Sequence, residues 1–151
     1  MFRHRFTILF NLLALLLVVA IAVAAVPVQA QRSQNNAPVL LHFEKSAIGP
    51  GIWEGSVSGD VTGNLRTELT SLRIAGPIWH VTFDWIIDAG DHSFTARLKG
   101  TLNTLTGRVV MNGTVVDGWL LGAQVHEEGQ LIDPSTFRFQ GTIQVMPATA
   151  E

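Results

Sequence analysis

Ile78-Trp79-His80-Val81-Thr82-Phe83-Asp84-Trp85-Ile86-Ile87 decides the fold. Trp79, Val81, Phe83, Trp85 and Ile87 fall in one phase, and His80, Thr82 and Asp84 fall in the other. Period two is the pattern of a β-strand with one buried face. Asp88-Ala89-Gly90-Asp91 follows, and aspartate and glycine tolerate the backbone angles that a turn demands. The alternation then resumes from His92 to Leu102, with Phe94, Ala96 and Leu98 set against Ser93, Thr95, Arg97 and Lys99.

The same pattern runs outward in both directions. Val39, Leu41 and Phe43 oppose His42 and Glu44, and Trp53, Val57 and Val61 oppose Glu54 and Asp60. Phe137, Phe139, Ile143 and Val145 oppose Thr136, Arg138, Gln140, Thr142 and Gln144. Gly107–Val116 and Trp119–Val125 are strand-like, and Asp117-Gly118 between them is a hairpin signal. Asn112-Gly113 reads as a bulge, because a turn there would leave too short a strand after it. Leu65, Leu69 and Leu72 sit at helical spacing, but the threonines and serine of Asn64–Ile74 favour a strand.

About eight short strands at regular spacing predict an all-β domain, a small antiparallel barrel of the calycin-like kind. Glycines recur inside the runs, at Gly55, Gly59, Gly100, Gly113, Gly122 and Gly141, where a small barrel must relieve crowding as its strands bend. Gly55-Ser56-Val57-Ser58-Gly59-Asp60, Gly100-Thr101-Leu102-Asn103, Thr106-Gly107 and Gly118-Trp119-Leu120-Leu121-Gly122-Ala123 resemble the glycine-punctuated strands of allene-oxide-cyclase-like and dirigent-like barrels. The likeness covers Val39 to Met146 and is one of fold. It implies an eight-stranded barrel, often a homo-oligomer of three, whose cavity guides a cyclisation or coupling. None of those families' functional residues maps onto a position of this chain.

The N-terminus has another character. Arg3, His4 and Arg5 precede an apolar run from Phe6 to Val26, which ends in Pro27-Val28-Gln29-Ala30. Basic start, apolar centre and small-residue end make residues 1–30 a signal peptide, an N-terminal helix cut after Ala30. The run is also close to the ~20 residues of a spanning helix, so an uncleaved anchor is the alternative. Either way the domain is exported, secreted or extracytoplasmic, with membrane contact only through that segment if it is retained. Residues 31–37 form a polar leader, 38–147 the barrel and 148–151 a tail.

Composition excludes several functions. Of ten basic residues two lie in the signal segment, while all twelve acids lie beyond Ala30, so the domain is mildly acidic and unsuited to nucleic acid. The chain has no cysteine, which removes disulfides, thiol nucleophiles and zinc–thiolate sites. Tyrosine is absent as well. No nucleophile elbow, phosphate loop or metalloprotease motif is present, and the scattered histidines lack metal-ligand spacing. No metal and no cofactor is expected.

Two groups of residues remain. Trp53, Trp79, Phe83, Phe94, Phe137 and Phe139 either fill the core or line a cavity for a small hydrophobic ligand. Glu54, His80, Arg97 and His126 are the polar candidates. His80 and Asp84 share a strand face but stand about 13 Å apart, too far to touch. His126, Glu127 and Glu128 form the densest ionisable cluster, which reads as a hydrated strand end or loop. The first reading of function is therefore a non-catalytic binder in the manner of lipocalins. The second is a cofactor-free cyclase or isomerase, which requires Glu54, His80, Arg97 or His126 to face the interior. The third is a structural or interaction domain with a filled core.

Overall fold

The computed structural model describes residues 37–148. The signal segment, most of the polar leader and the last three residues lie outside the described residues. Eight strands run in order: β1 (Val39–Gly49), β2 (Ile52–Gly59), β3 (Gly63–Ala75), β4 (Ile78–Asp88), β5 (Phe94–Asn103), β6 (Arg108–Gly118), β7 (Gln124–Asp133) and β8 (Arg138–Met146). Each pairs antiparallel with its neighbours in sequence, and β8 pairs with β1 to close the barrel. Closure leaves no open sheet edge along the pairing circuit.

The phases of the sequence become the two faces of the wall. Leu41, Phe43, Val57, Val81, Phe83, Trp85, Leu98, Val125 and Val145 are buried inside. Outside, the alternate positions carry charge, paired as Glu54 with Arg66, Asp84 with Arg97, and Glu44 with Arg138. A charged outer wall is the reverse of the apolar band that a transmembrane barrel presents to lipid.

Three details depart from the sequence-based expectation. Asn112 and Gly113 pair in regular register with Lys99 and Leu98, so no bulge lies there. The irregularity falls further along β6, where Thr95 and Ala96 pair with Asp117 and Val115 and leave Val116 over. Asp117-Gly118 is not the hairpin turn either. It still belongs to β6, and the chain reverses through Trp119–Ala123, with Leu120 in the left-handed region at φ 59°. The strand expected from Trp119 begins only at Gln124, so His126-Glu127-Glu128 lies within β7 rather than at its end. Asn64–Ile74 is strand, as the threonines and serine predict.

Glycine sits where two strand backbones press together. A Cβ on Gly55 would run into the Glu44 carbonyl oxygen, and one on Gly113 into the Arg97 carbonyl oxygen. Contacts of this kind account for Gly55, Gly100, Gly113 and Gly141, whereas Gly122, at φ 85° with open space around it, serves the turn after β6.

The two ends of the barrel differ. Near the β2–β3, β4–β5 and β6–β7 connections the interior is filled by side chains such as Leu65, Ile87, Phe94 and Val115. His92 closes on Trp119 there, ring edge to ring face, with centroids 4.5 Å apart. Toward the β1–β2, β3–β4 and β7–β8 turns the interior opens into a cavity.

Candidate functional site

The cavity has a volume of about 280 Å³. That is roughly twice the ~150 Å³ apolar void known to admit benzene, and near the lower bound of ~300–1,000 Å³ for small-molecule sites. Its wall is built from the inward phases of neighbouring strands. β4 contributes Trp79, Val81 and Phe83, β6 contributes Val109 and Met111, and β8 contributes Phe139.

The β7–β8 loop partly covers the mouth. The Ala47 amide donates to the Thr136 carbonyl at 3.1 Å, and Trp53 Nε1 donates to the Phe137 carbonyl at 3.1 Å. These bonds hold Phe137 over the cavity with φ 46°, a conformation that a residue with a Cβ adopts only at a cost of order 1–3 kcal/mol.

Two ionisable side chains face this apolar space. Lys45 from β1 and Glu127 from β7 are buried, with relative exposures of 5% and 1%. Each stands in the inward phase of its strand, Lys45 after Leu41 and Phe43, Glu127 after Val125. They are the only buried ionisable residues among the described residues. No salt bridge joins them among the described ion pairs, and Glu127 Oε2 has no hydrogen-bond partner in the protein.

Lys45 lies among aromatic rings instead. Its Nζ is 3.7 Å from the centroid of the Trp85 ring, 5.3 Å from those of Phe43 and Phe83, and 5.9 Å from that of Phe139. Ring faces attract an ammonium, the more strongly where water is excluded. Burial works the other way and pushes Lys45 down to about 8, while the charge of Glu127 limits the fall. Burial pushes Glu127 up to about 7 against the pull of Lys45. Both groups therefore change charge close to neutral pH, inside an apolar enclosure. That is a common property of reactive and ligand-orienting groups.

Of the aromatic residues singled out in the sequence, Trp53, Trp79, Phe83, Phe137 and Phe139 line the cavity. Phe94 does not, and packs near Trp119 at the filled end, with ring centroids 6.3 Å apart.

The four polar candidates all stand on the outer phase, and none lines the cavity. Glu54 pairs with Arg66 at 2.7 Å, and Arg97 pairs with Asp84 at 2.8 Å. His126 Nδ1 hydrogen-bonds Asn112 Oδ1 at 2.7 Å, and His80 occupies the outer face of β4 between Ile78 and Thr82. The condition set for the cyclase reading is therefore not met by these residues. No three His, Cys, Asp or Glu side chains converge to hold a metal among the described residues.

The sequence reading passed over Lys45 and took Glu127 as part of a hydrated cluster, whereas it is buried. The available signal was phase, since each is a charge standing where its strand's apolar residues stand. Comparison with protein-family profiles, with curated protein sequences and with solved structures yields no match, so the geometry of the barrel and its cavity carries the functional reading.

Proposed function

We propose that this protein is an exported barrel that binds a small apolar ligand with one polar end. The cavity carries the reading. It is enclosed by Trp79, Phe83, Met111 and Phe139 at the open half of a barrel whose other half is filled, and it meets Lys45 and Glu127. A core selected only for stability would fill this space and would not bury two unbridged ionisable groups, since both features oppose folding. The polar pair is suited to orient a ligand's oxygen while the rings hold its hydrocarbon part.

1-Octanol is a probe matched to this chemistry. Titration should perturb the indole NMR signals of Trp53, Trp79 and Trp85 and saturate at one equivalent. Ala47→Phe places a ring at the mouth, where Ala47 lines the cavity, and should weaken octanol binding about tenfold, roughly 1.4 kcal/mol. Absence of saturable shifts with octanol, toluene and octanoate would contradict the binding reading.

Export rests on the signal segment from Arg3 to Ala30. Intact mass of protein recovered outside the cytoplasm should correspond to a chain starting at Gln31. A chain retaining Met1 would support the anchor instead.

A further inference from the structure

We propose that Lys45 is a nucleophilic amine that condenses with the carbonyl group of a small apolar aldehyde held in the cavity, with Glu127 supplying and receiving the proton. The proposal rests on the binding reading above and names the substrate class of the same site.

The geometry supports it first. An amine nucleophile must be free of ion pairs and must meet its substrate in a place that excludes bulk water. Among the described residues Lys45 Nζ has no salt-bridge partner. Its side chain reaches the cavity through the rings of Trp85, Phe43 and Phe83. A structural lysine normally sends its ammonium to water or to a carboxylate. Here the chain is aimed inward, and the one carboxyl within the same enclosure is close enough to influence its charge without bridging it. Both side chains line the same cavity, so a bound carbonyl group can meet the two together.

The chemistry balances without a cofactor. The neutral amine attacks the carbonyl carbon, a C–N bond forms, and the carbonyl electron pair moves to oxygen. Proton transfer from nitrogen to oxygen gives the neutral carbinolamine. Protonated Glu127 then gives its proton to the carbinolamine hydroxyl, which leaves as water while the nitrogen lone pair forms the C=N bond. Loss of the remaining N–H proton returns Glu127 to its acid form, so aldehyde and amine yield imine and one water. An apolar enclosure suits both ends of this sequence, because it favours the uncharged amine and the uncharged acid. Lys45 is lowered to about 8 and Glu127 raised to about 7, so the two required forms overlap best between about pH 7 and pH 8. No other titratable side chain is buried in the described interior.

The sequence makes the test clean, for the chain has only two lysines, Lys45 and Lys99. Lys99 is exposed on the outer face of β5 and serves as the internal control. The full domain is incubated with octanal and sodium cyanoborohydride, which reduces an imine to a stable secondary amine. Peptide mass spectrometry then reports the octylated positions.

Lys45 should be modified at least about tenfold faster than Lys99, with the rate highest between about pH 7 and pH 8 and suppressed by excess 1-octanol. Lys45→Met should give no adduct at that position while Lys99 keeps its slow native rate. Glu127→Gln should trap octanal at Lys45 at least about tenfold more slowly, with the alkaline limb of its pH profile removed and the acid limb, set by Lys45, kept. If octanol binds while Lys45 reacts no faster than Lys99, the nucleophile is overturned and the binding reading stands. If neither octanol nor octanal binds, both fall.

Discussion

A Lys45→Met/Glu127→Leu double variant is expected to be more stable than the native chain by about 1–4 kcal/mol at about pH 7.5. Two ionisable groups buried without bridging each other lose more hydration than they recover from mutual attraction. Apolar side chains of similar size remove that penalty and add contact with Trp85 and Phe83. Urea denaturation of both proteins measures the gain. A double variant less stable than the native chain would mean that the pair is a structural tie.

The same pair fixes the sign of a pH dependence. Lys45 has an ordinary value of 10.5 and a folded value of about 8. Between them the unfolded chain binds more protons, so stability rises with pH. Glu127 has an ordinary value of 4.5 and a folded value of about 7. Between these the folded chain binds more protons, so stability falls as pH rises. The combined contribution is lowest between about pH 7 and pH 8. Each limb is worth up to about 3 kcal/mol at ~1.4 kcal/mol per pH unit. Arg97 holds the Asp84 carboxyl low, and hydrogen bonds from Ser135 and Thr136 do the same for Asp133, which gives the ordinary acid limb in both proteins. Subtracting the double variant's profile from the native one isolates the interior pair.

Gly113→Ala is expected to cost about 4 kcal/mol or more, a loss comparable to the whole stability of many domains. Its Cβ would meet the Arg97 carbonyl oxygen, which belongs to the neighbouring strand and cannot rotate away as a side chain would. The β5–β6 pairing must part for the methyl group to fit. Gly49→Ala is the matched control, because a Cβ there meets nothing within 4 Å and φ is not positive. Its effect should stay within about 0.5 kcal/mol. Circular dichroism and the urea midpoint separate the two. Equal midpoints would show that the strands can slide apart at little cost.

The wall of the barrel was legible because its period is simple. Trp79, Val81, Phe83, Trp85 and Ile87 announce an inner face, and His80, Thr82 and Asp84 an outer one. The cavity's aromatic lining was legible for the same reason, apart from Phe94, whose height along the barrel axis no alternation can encode.

Turn placement was harder. The reversal at Trp119–Ala123 is built from apolar residues around Leu120 in a left-handed conformation, and so lacks the usual polar turn chemistry. Reading the turn at Asp117-Gly118 moved the next strand's boundaries and made His126-Glu127-Glu128 look terminal. Within β7, the same three residues point out, in and out. Lys45 was hidden differently. It extends the phase of Leu41 and Phe43, but a lysine near a strand's later half is ordinarily solvated. Only closure of the barrel and the rings of neighbouring strands show that it is turned inward and buried.

Lys45 and Glu127 are buried together in an apolar cavity. NMR titration of the Lys45 Cε and Glu127 Cδ signals tests this most directly. Midpoints displaced toward each other, to about 8 for Lys45 and about 7 for Glu127, are predicted. Midpoints near the ordinary 10.5 and 4.5 would place both groups in water and contradict the account.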